Sequence, residues 1–132
     1  MPYKLYDYAD HRGNRIAEWG KGQPRIQLAK LNSKLDTLMT AEPDLVHGLL
    51  YGVSGFPQLR KIKIQGNPKL RPLLCKGPLD NDAEFTLLVG AREIEFGWDP
   101  VAARETAKDR RQEIISTGNR RCEHERFKDG TA

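Results

Sequence analysis

The sequence predicts a small α+β fold, a mostly antiparallel β-sheet with an N-terminal helical hairpin packed on one face and a C-terminal helix. Three observations carry that prediction. Leu28, Leu31, Leu35 and Leu38 recur at intervals of three and four, the spacing of one helix face. In "LRKIKI", Ile62 and Ile64 alternate with Lys61 and Lys63, the period of two that puts successive side chains on opposite faces of a strand. The turn-forming stretches "QGNP" and "GPLDNDA" separate that run from two further apolar runs, so the chain is expected to fold back on itself. A chain of 132 residues fits a single domain, 1–132, in the order β-α-α-β-β-β-α.

The aromatic-rich "YKLYDY" reads as a strand from Tyr3 to Tyr8, and "DHRG" as the turn after it. "NRIAEWGKG" reads as a short helix beginning near Asn14, with Ile16 and Trp19 on one face. Pro24 suits the first turn of a second helix running to about Thr40. "AEPDLVHGLLYGVSGFP" is broken by Pro43, Gly48, Gly52, Gly55 and Pro57 and reads as a long connection. In "KLRPLLC", Leu70 and Leu74 share one face, Lys69 and Arg71 take the other, and Pro72 removes a ladder donor, predicting a bulge or break. In "EFTLLVGARE", Phe85, Leu87, Val89 and Ala91 are expected inward, with Thr86, Leu88, Gly90 and Arg92 on the second face. Asp99 and Pro100 read as cap and first turn of a third helix whose stripe, Val101, Ala103, Ala107 and Ile114, is thin enough to leave it half exposed. The polar tail after about 117 is expected to be flexible and to fray beyond Phe127. On this reading the second sheet face is open and carries Lys61, Lys63, Arg71 and Arg92.

Charge is unevenly distributed. From Leu45 to Leu79 there are six cations (Arg60, Lys61, Lys63, Lys69, Arg71, Lys76) and no carboxylate. Of the 22 Lys and Arg in the chain, 16 remain elsewhere against all 18 acidic residues. The net charge of +4 therefore belongs to one segment, and such a local field favours a polyanion, above all nucleic acid. The bland alternative, lysines on a solvated edge, is weakened because solvent surfaces interleave both signs.

Other function classes find no support. No run of about 18 apolar residues occurs, which excludes a membrane-spanning helix, and "MPYKLYDYADHRG" lacks a signal-peptide core, so a cytoplasmic protein is expected. Cys75 and Cys122 could form one disulfide, but two free thiols in a reducing cytoplasm are the favoured reading. Cys122 and His124 have no second Cys/His pair beside them, so no metal or other cofactor is expected. There is no GxxxxGK loop, Ser33, Ser54 and Ser116 read as cap or turn residues, and His11 and His47 read as exposed polar residues.

"RKIKI", a turn, "KLRPLL" and a third apolar strand ending in "GARE" together resemble the RelE/ParE toxin superfamily, in its phage-derived Gp49-like or HigB-like branch. The resemblance spans roughly residues 19–115 and rests on the order and spacing of these pieces. It implies the toxin of a type II toxin–antitoxin system, an endoribonuclease (mRNA interferase) that cleaves mRNA on the ribosome. The implied partners are mRNA, the ribosome and a cognate antitoxin, a small helix-turn-helix protein. Residue by residue, Lys61 and Lys63 match the family's strand lysines, Arg71 its middle-strand arginine and Arg92 its third-strand arginine. The family often has a catalytic tyrosine near the C-terminus. No Tyr follows Tyr51 here, and the comparable late residue is His124.

The expected chemistry needs no metal. The RNA 2′-hydroxyl is the nucleophile, and a lysine crowded by cations, Lys61 or Lys63, can serve as base. Arg71 and Arg92 would stabilise the phosphorane, His124 would protonate the leaving oxygen, and Arg60, Lys69 and Lys76 would hold the RNA backbone. Two alternatives stand beside this: a ParE-like toxin that binds a topoisomerase, and a catalytically inactive phage-derived accessory protein of the same fold.

Overall fold

The computed structural model describes residues 3–41, 46 and 48–130; His47 lies outside the described residues. The chain begins with β1 (Lys4–Asp10), a two-residue β2 (Gly13–Asn14), α1 (Arg15–Gly20) and α2 (Arg25–Thr40). Next come β3 (Tyr51–Val53), β4 (Phe56–Lys61), β5 (Lys69–Leu70), β6 (Leu73–Lys76) and β7 (Glu84–Val89). It closes with β8 (Arg92–Ile94), β9 (Gly97–Asp99), α3 (Ala103–Thr117) and β10 (Arg121–Glu123). The main sheet runs β10-β1-β7-β6-β4-β3, with β2 paired to β1, and β5-β8-β9 forms a second, small sheet. The class is thus mixed α+β with a mostly antiparallel sheet; in the main sheet β1 and β7 run parallel.

Local chemistry explains the first helices. The Asn14 side chain accepts from the N–H groups of Ile16 and Ala17 at 3.0 and 2.9 Å, satisfying donors that a helix start leaves orphaned. The α2 leucines Leu28, Leu31, Leu35 and Leu38 pack on Ile62, Ile64, Leu70, Leu74, Phe85 and Leu87, which is the face the two periodicities predict.

The second face is not open. α3 buries Ala103, Ala107 and Ile114 against Leu59, Leu73, Cys75, Leu88 and Val89, making the sheet a middle layer. Those sheet residues are apolar and out of phase with the α2 face, so they require a cover of their own. Val101 stays exposed. α3 begins at Ala103, after Asp99 has been incorporated in β9, so the expected Asp99 cap does not form.

A bulge in β7 reorganises the chain beyond it. Leu73 faces Val89 whereas Leu74 faces Leu87, so Leu88 is an extra residue on β7. An inserted residue exchanges the faces of all later side chains. Phe85 and Leu87 point to the α2 side, while Val89 and Ala91 join the α3 side. Gly90 then faces Trp19 of α1 so closely that a Cβ there would lie 2.0 Å from the indole ring.

Pro72 breaks the strand as expected, leaving β5 and β6 on either side of Arg71–Pro72. The tail is held beyond 117, contrary to expectation. β10 pairs antiparallel with β1 through Tyr6–Glu123, Asp7–Cys122 and Tyr8–Arg121. Phe127 is buried, and Asn32 exchanges two hydrogen bonds with its backbone, at 2.9 and 3.1 Å. Among the described residues no helix is long and apolar enough to cross a membrane.

Candidate nucleic-acid interface

Lys61 and Lys63 project from the end of β4 and the segment after it onto the α3 side of the sheet, since their neighbours Ile62 and Ile64 lie in the α2-side core. Lys61 sits opposite Tyr51 of β3. Its Nζ is 5.5 Å from the centre of the Trp98 ring, and the Lys63 Nζ is 4.3 Å from that of Tyr51. Both cations therefore rest against aromatic π-faces. Partial burial, reinforced by the neighbouring charge of Lys63, holds the Lys61 amine below its ordinary pKa; Glu93 opposes this, and Arg71 and Arg104 add to it. A lysine depressed in this way releases its proton more readily.

Arg71 lies on the same side but not in solvent. It is 3% exposed, and its Nη1 donates to the carbonyls of Ile64 and Leu70 at 3.2 and 2.8 Å. Its Nη2 is 3.6 Å from the Glu93 carboxylate, and its Nε has no partner among the described residues. This guanidinium ties the turn together and has no face free for phosphate, which corrects its expected catalytic contact.

Arg92 is displaced from the cluster. The β7 bulge exchanges Arg92 and Glu93, so Glu93 faces the lysines and Arg92 turns away. Arg92 Nε and Nη2 donate to Asp99 Oδ2 at 3.2 and 2.8 Å. Glu93 also lies 3.9 Å from Lys69. The cationic segment is therefore not unbalanced: a carboxylate from another strand enters it.

His124 cannot join the lysines. It follows β10 at one edge of the sheet, four strand steps from β4, roughly 19 Å at the usual inter-strand spacing. Its Nδ1 is 2.8 Å from Asp7 Oδ1. Arg60 alternates with Lys61 and so faces the opposite side, its Nη1 donating to the carbonyls of Pro57 and Leu59. Lys76 lies with Arg60 in a separate cleft. Of the expected RNA-backbone residues, Lys69 alone adjoins the lysine cluster.

Sequence reasoning missed Tyr51, Trp98, Glu93 and Arg104. Tyr51 lies in a Gly-rich segment read as connection, and its facing to Lys61 depends on the β3–β4 hairpin. Arg104 lies with its guanidinium carbon 5.4 Å from the Phe56 ring centre and bonds the Ser54 carbonyl. Chemically, the arrangement offers two amines on one face, one of depressed basicity, walled by a phenol and an indole. Among the described residues no group of three or more His, Cys, Asp or Glu is gathered as a metal site. Comparison with protein-family models, with curated proteins and with solved structures finds no match to this chain.

Proposed function

We propose that this chain is the toxin of a type II toxin–antitoxin pair, of the RelE/ParE superfamily and its HigB-like (Gp49-like) branch, acting as a metal-independent endoribonuclease on mRNA at the ribosome. The observation that carries the reading is the pairing of Lys61 and Lys63 on one face, with the Lys61 basicity lowered and aromatic rings on both amines. A face of amines with ring walls suits a single-stranded polyanion, whose phosphates meet the cations and whose bases stack.

In this reading Lys61 takes the 2′-hydroxyl proton and Lys63 binds the scissile phosphate. Arg71 is a positioning residue that fixes the turn between the two strand segments. The leaving oxygen is protonated by the Tyr51 phenol, whose ring lies against the Lys63 amine. An acidic antitoxin segment laid over the lysines would silence the site. Induced expression should arrest growth with mRNA breakdown preceding any change in supercoiling. Replacing Lys61 and Lys63 together by Ala should lower cleavage by about tenfold to a hundredfold, the cost of losing charge-assisted contacts. Full toxicity of that double variant, with intact mRNA, would remove the ribonuclease reading.

A second reading, a protein-binding toxin of the ParE kind, is favoured by one feature. The β8–β9 hairpin and the turn after it expose Ile94, Phe96 and Val101 at 54, 94 and 84%, and exposed apolar side chains of that size mark contact surfaces. A supercoiling change without mRNA loss would select it.

A further inference from the structure

Arg60 and Lys76, which leave the lysine face, meet again at the other side of the sheet. The β4–β6 ladder pairs only Arg60–Leu74 and Lys61–Leu73, so the two strands part beyond Arg60. In the gap lies a cleft of about 440 Å³ lined by Tyr3, Leu50 and Phe85 as an apolar floor and by Arg60, Lys76 and the α3 residue Arg111 as a basic rim. That volume lies within the range of small-molecule sites.

Its cations are unspent. Among the described residues none of the three has a carboxylate within ion-pair distance. Arg60 uses Nη1 on two carbonyls, which pins the side chain and leaves Nε and Nη2 to donate. The Arg111 Nε is buried with no hydrogen-bond partner. The Cys75 thiol, hydrogen-bonded to the Arg111 guanidinium, is pushed up to about 12 by burial and so stays neutral, offering that cation no counter-charge. A groove along α3 that shares Arg111 adds one cation, Lys108, and one carboxylate, Asp109.

We infer that this cleft is a second binding site, taking a small phosphate monoester with an attached ring, a mononucleotide in size and chemistry. Two guanidinium forks and an ammonium suit the phosphate, and the apolar floor accepts the ring. The site is separate from the lysine face and does not depend on the ribonuclease reading.

The test is calorimetric titration of the whole chain with adenosine 5′-monophosphate, adenosine and inorganic phosphate in phosphate-free, low-salt buffer. Amide shifts of Leu50 and Phe85 locate the site. The monophosphate should bind one to one, and adenosine at least about tenfold more weakly, the loss of a charge-assisted contact. Lys76→Gln, an exposed residue whose change spares the fold, should weaken binding by a similar factor, as should Arg111→Gln. The double variant Lys61→Gln/Lys63→Gln should bind like the parent. No binding at millimolar monophosphate, equal binding of adenosine, or indifference to Lys76→Gln overturns the proposal. So does an oligoribonucleotide that needs Lys76 where the monophosphate does not bind, since the cleft would then be part of an RNA track.

Discussion

Asp7 and His124, 117 positions apart, meet with Oδ1 and Nδ1 at 2.8 Å, and the Asp7 side chain is wholly excluded from solvent. The other oxygen, Oδ2, accepts from Asn14 Nδ2 at 2.8 Å and from the Glu125 N–H at 2.9 Å. One carboxylate on β1 thus ties together the α1 cap, the strand and the C-terminal segment. A buried carboxylate is tolerated only when its acceptor capacity is filled, and His124 fills part of it.

His124→Ala should therefore act on stability and not on chemistry. Removing one donor from buried Asp7 should cost about 1–3 kcal/mol, read as a lower urea midpoint with unchanged slope. If the chain is the ribonuclease proposed above, RNA cleavage per folded molecule should equal that of the parent. A large loss of cleavage at native stability would return His124 to the reacting centre.

Gly90→Ala probes the bulge. The added Cβ would come within 2.0 Å of the Trp19 ring, and Trp19 is itself packed edge-on against Phe127 at 6.1 Å between ring centres. The indole has no simple retreat, so a loss of about 1–3 kcal/mol is expected from overpacking, with a shift in Trp19 fluorescence. A variant as stable as the parent, with the fluorescence unmoved, would show that the strand reaches Trp19 differently.

The reach of periodicity is clearest around that bulge. The α2 leucines and the Ile62/Ile64 alternation are legible because regular elements repeat their own geometry. Leu88 carries no mark of being an extra residue, since a run of buried hydrophobics reads alike with or without one. Alternation alone therefore puts Arg92 on the lysine face, which Glu93 occupies. Arg71 resembles a surface cation in sequence because its chemistry is invisible until the carbonyls of Ile64 and Leu70 converge on it. β10 and β3 escape the sequence for related reasons: one is polar and the other glycine-containing, and both become strands only by pairing with distant segments.

Arg71→Ala should loosen the turn between Ile64 and Leu70, which leads into β5. It leaves two buried carbonyls without their charged donor, and hydrogen bonds to charged groups are worth about 1.5–3 kcal/mol each. A loss of roughly 3 kcal/mol or more is expected from that range. Arg71→Lys should recover only part of it, because an ammonium lacks the second nitrogen that faces Glu93 while Nη1 donates to the two carbonyls. Proteolysis between 64 and 72 should accelerate in step with the loss. If Arg71→Ala keeps parental stability and loses only cleavage, the arginine contacts substrate after all.

Lys61, Lys63 and Glu93 share one face and couple its titration. Lys61 titrates below its ordinary value because of burial first and Lys63 second, while Glu93 pulls upward. Between the lowered folded pKa and the unfolded value near 10.5, the unfolded chain holds more protons. This group therefore makes stability rise with pH across that window, and Lys61→Gln should remove its share of the slope. If Lys61 is the base, cleavage rises as its amine loses a proton. Lys63→Gln removes a like charge, raises the Lys61 pKa and should move the rising limb to higher pH. Glu93→Gln removes the opposing carboxylate, lowers that pKa further and should move the limb to lower pH. Nitrogen NMR of the Lys61 amine follows the same two shifts independently of turnover. Should the amine titrate as stated while the cleavage profile stays fixed in both variants, Lys61 is not the base and its pKa reflects the packing of the β3–β4 edge alone.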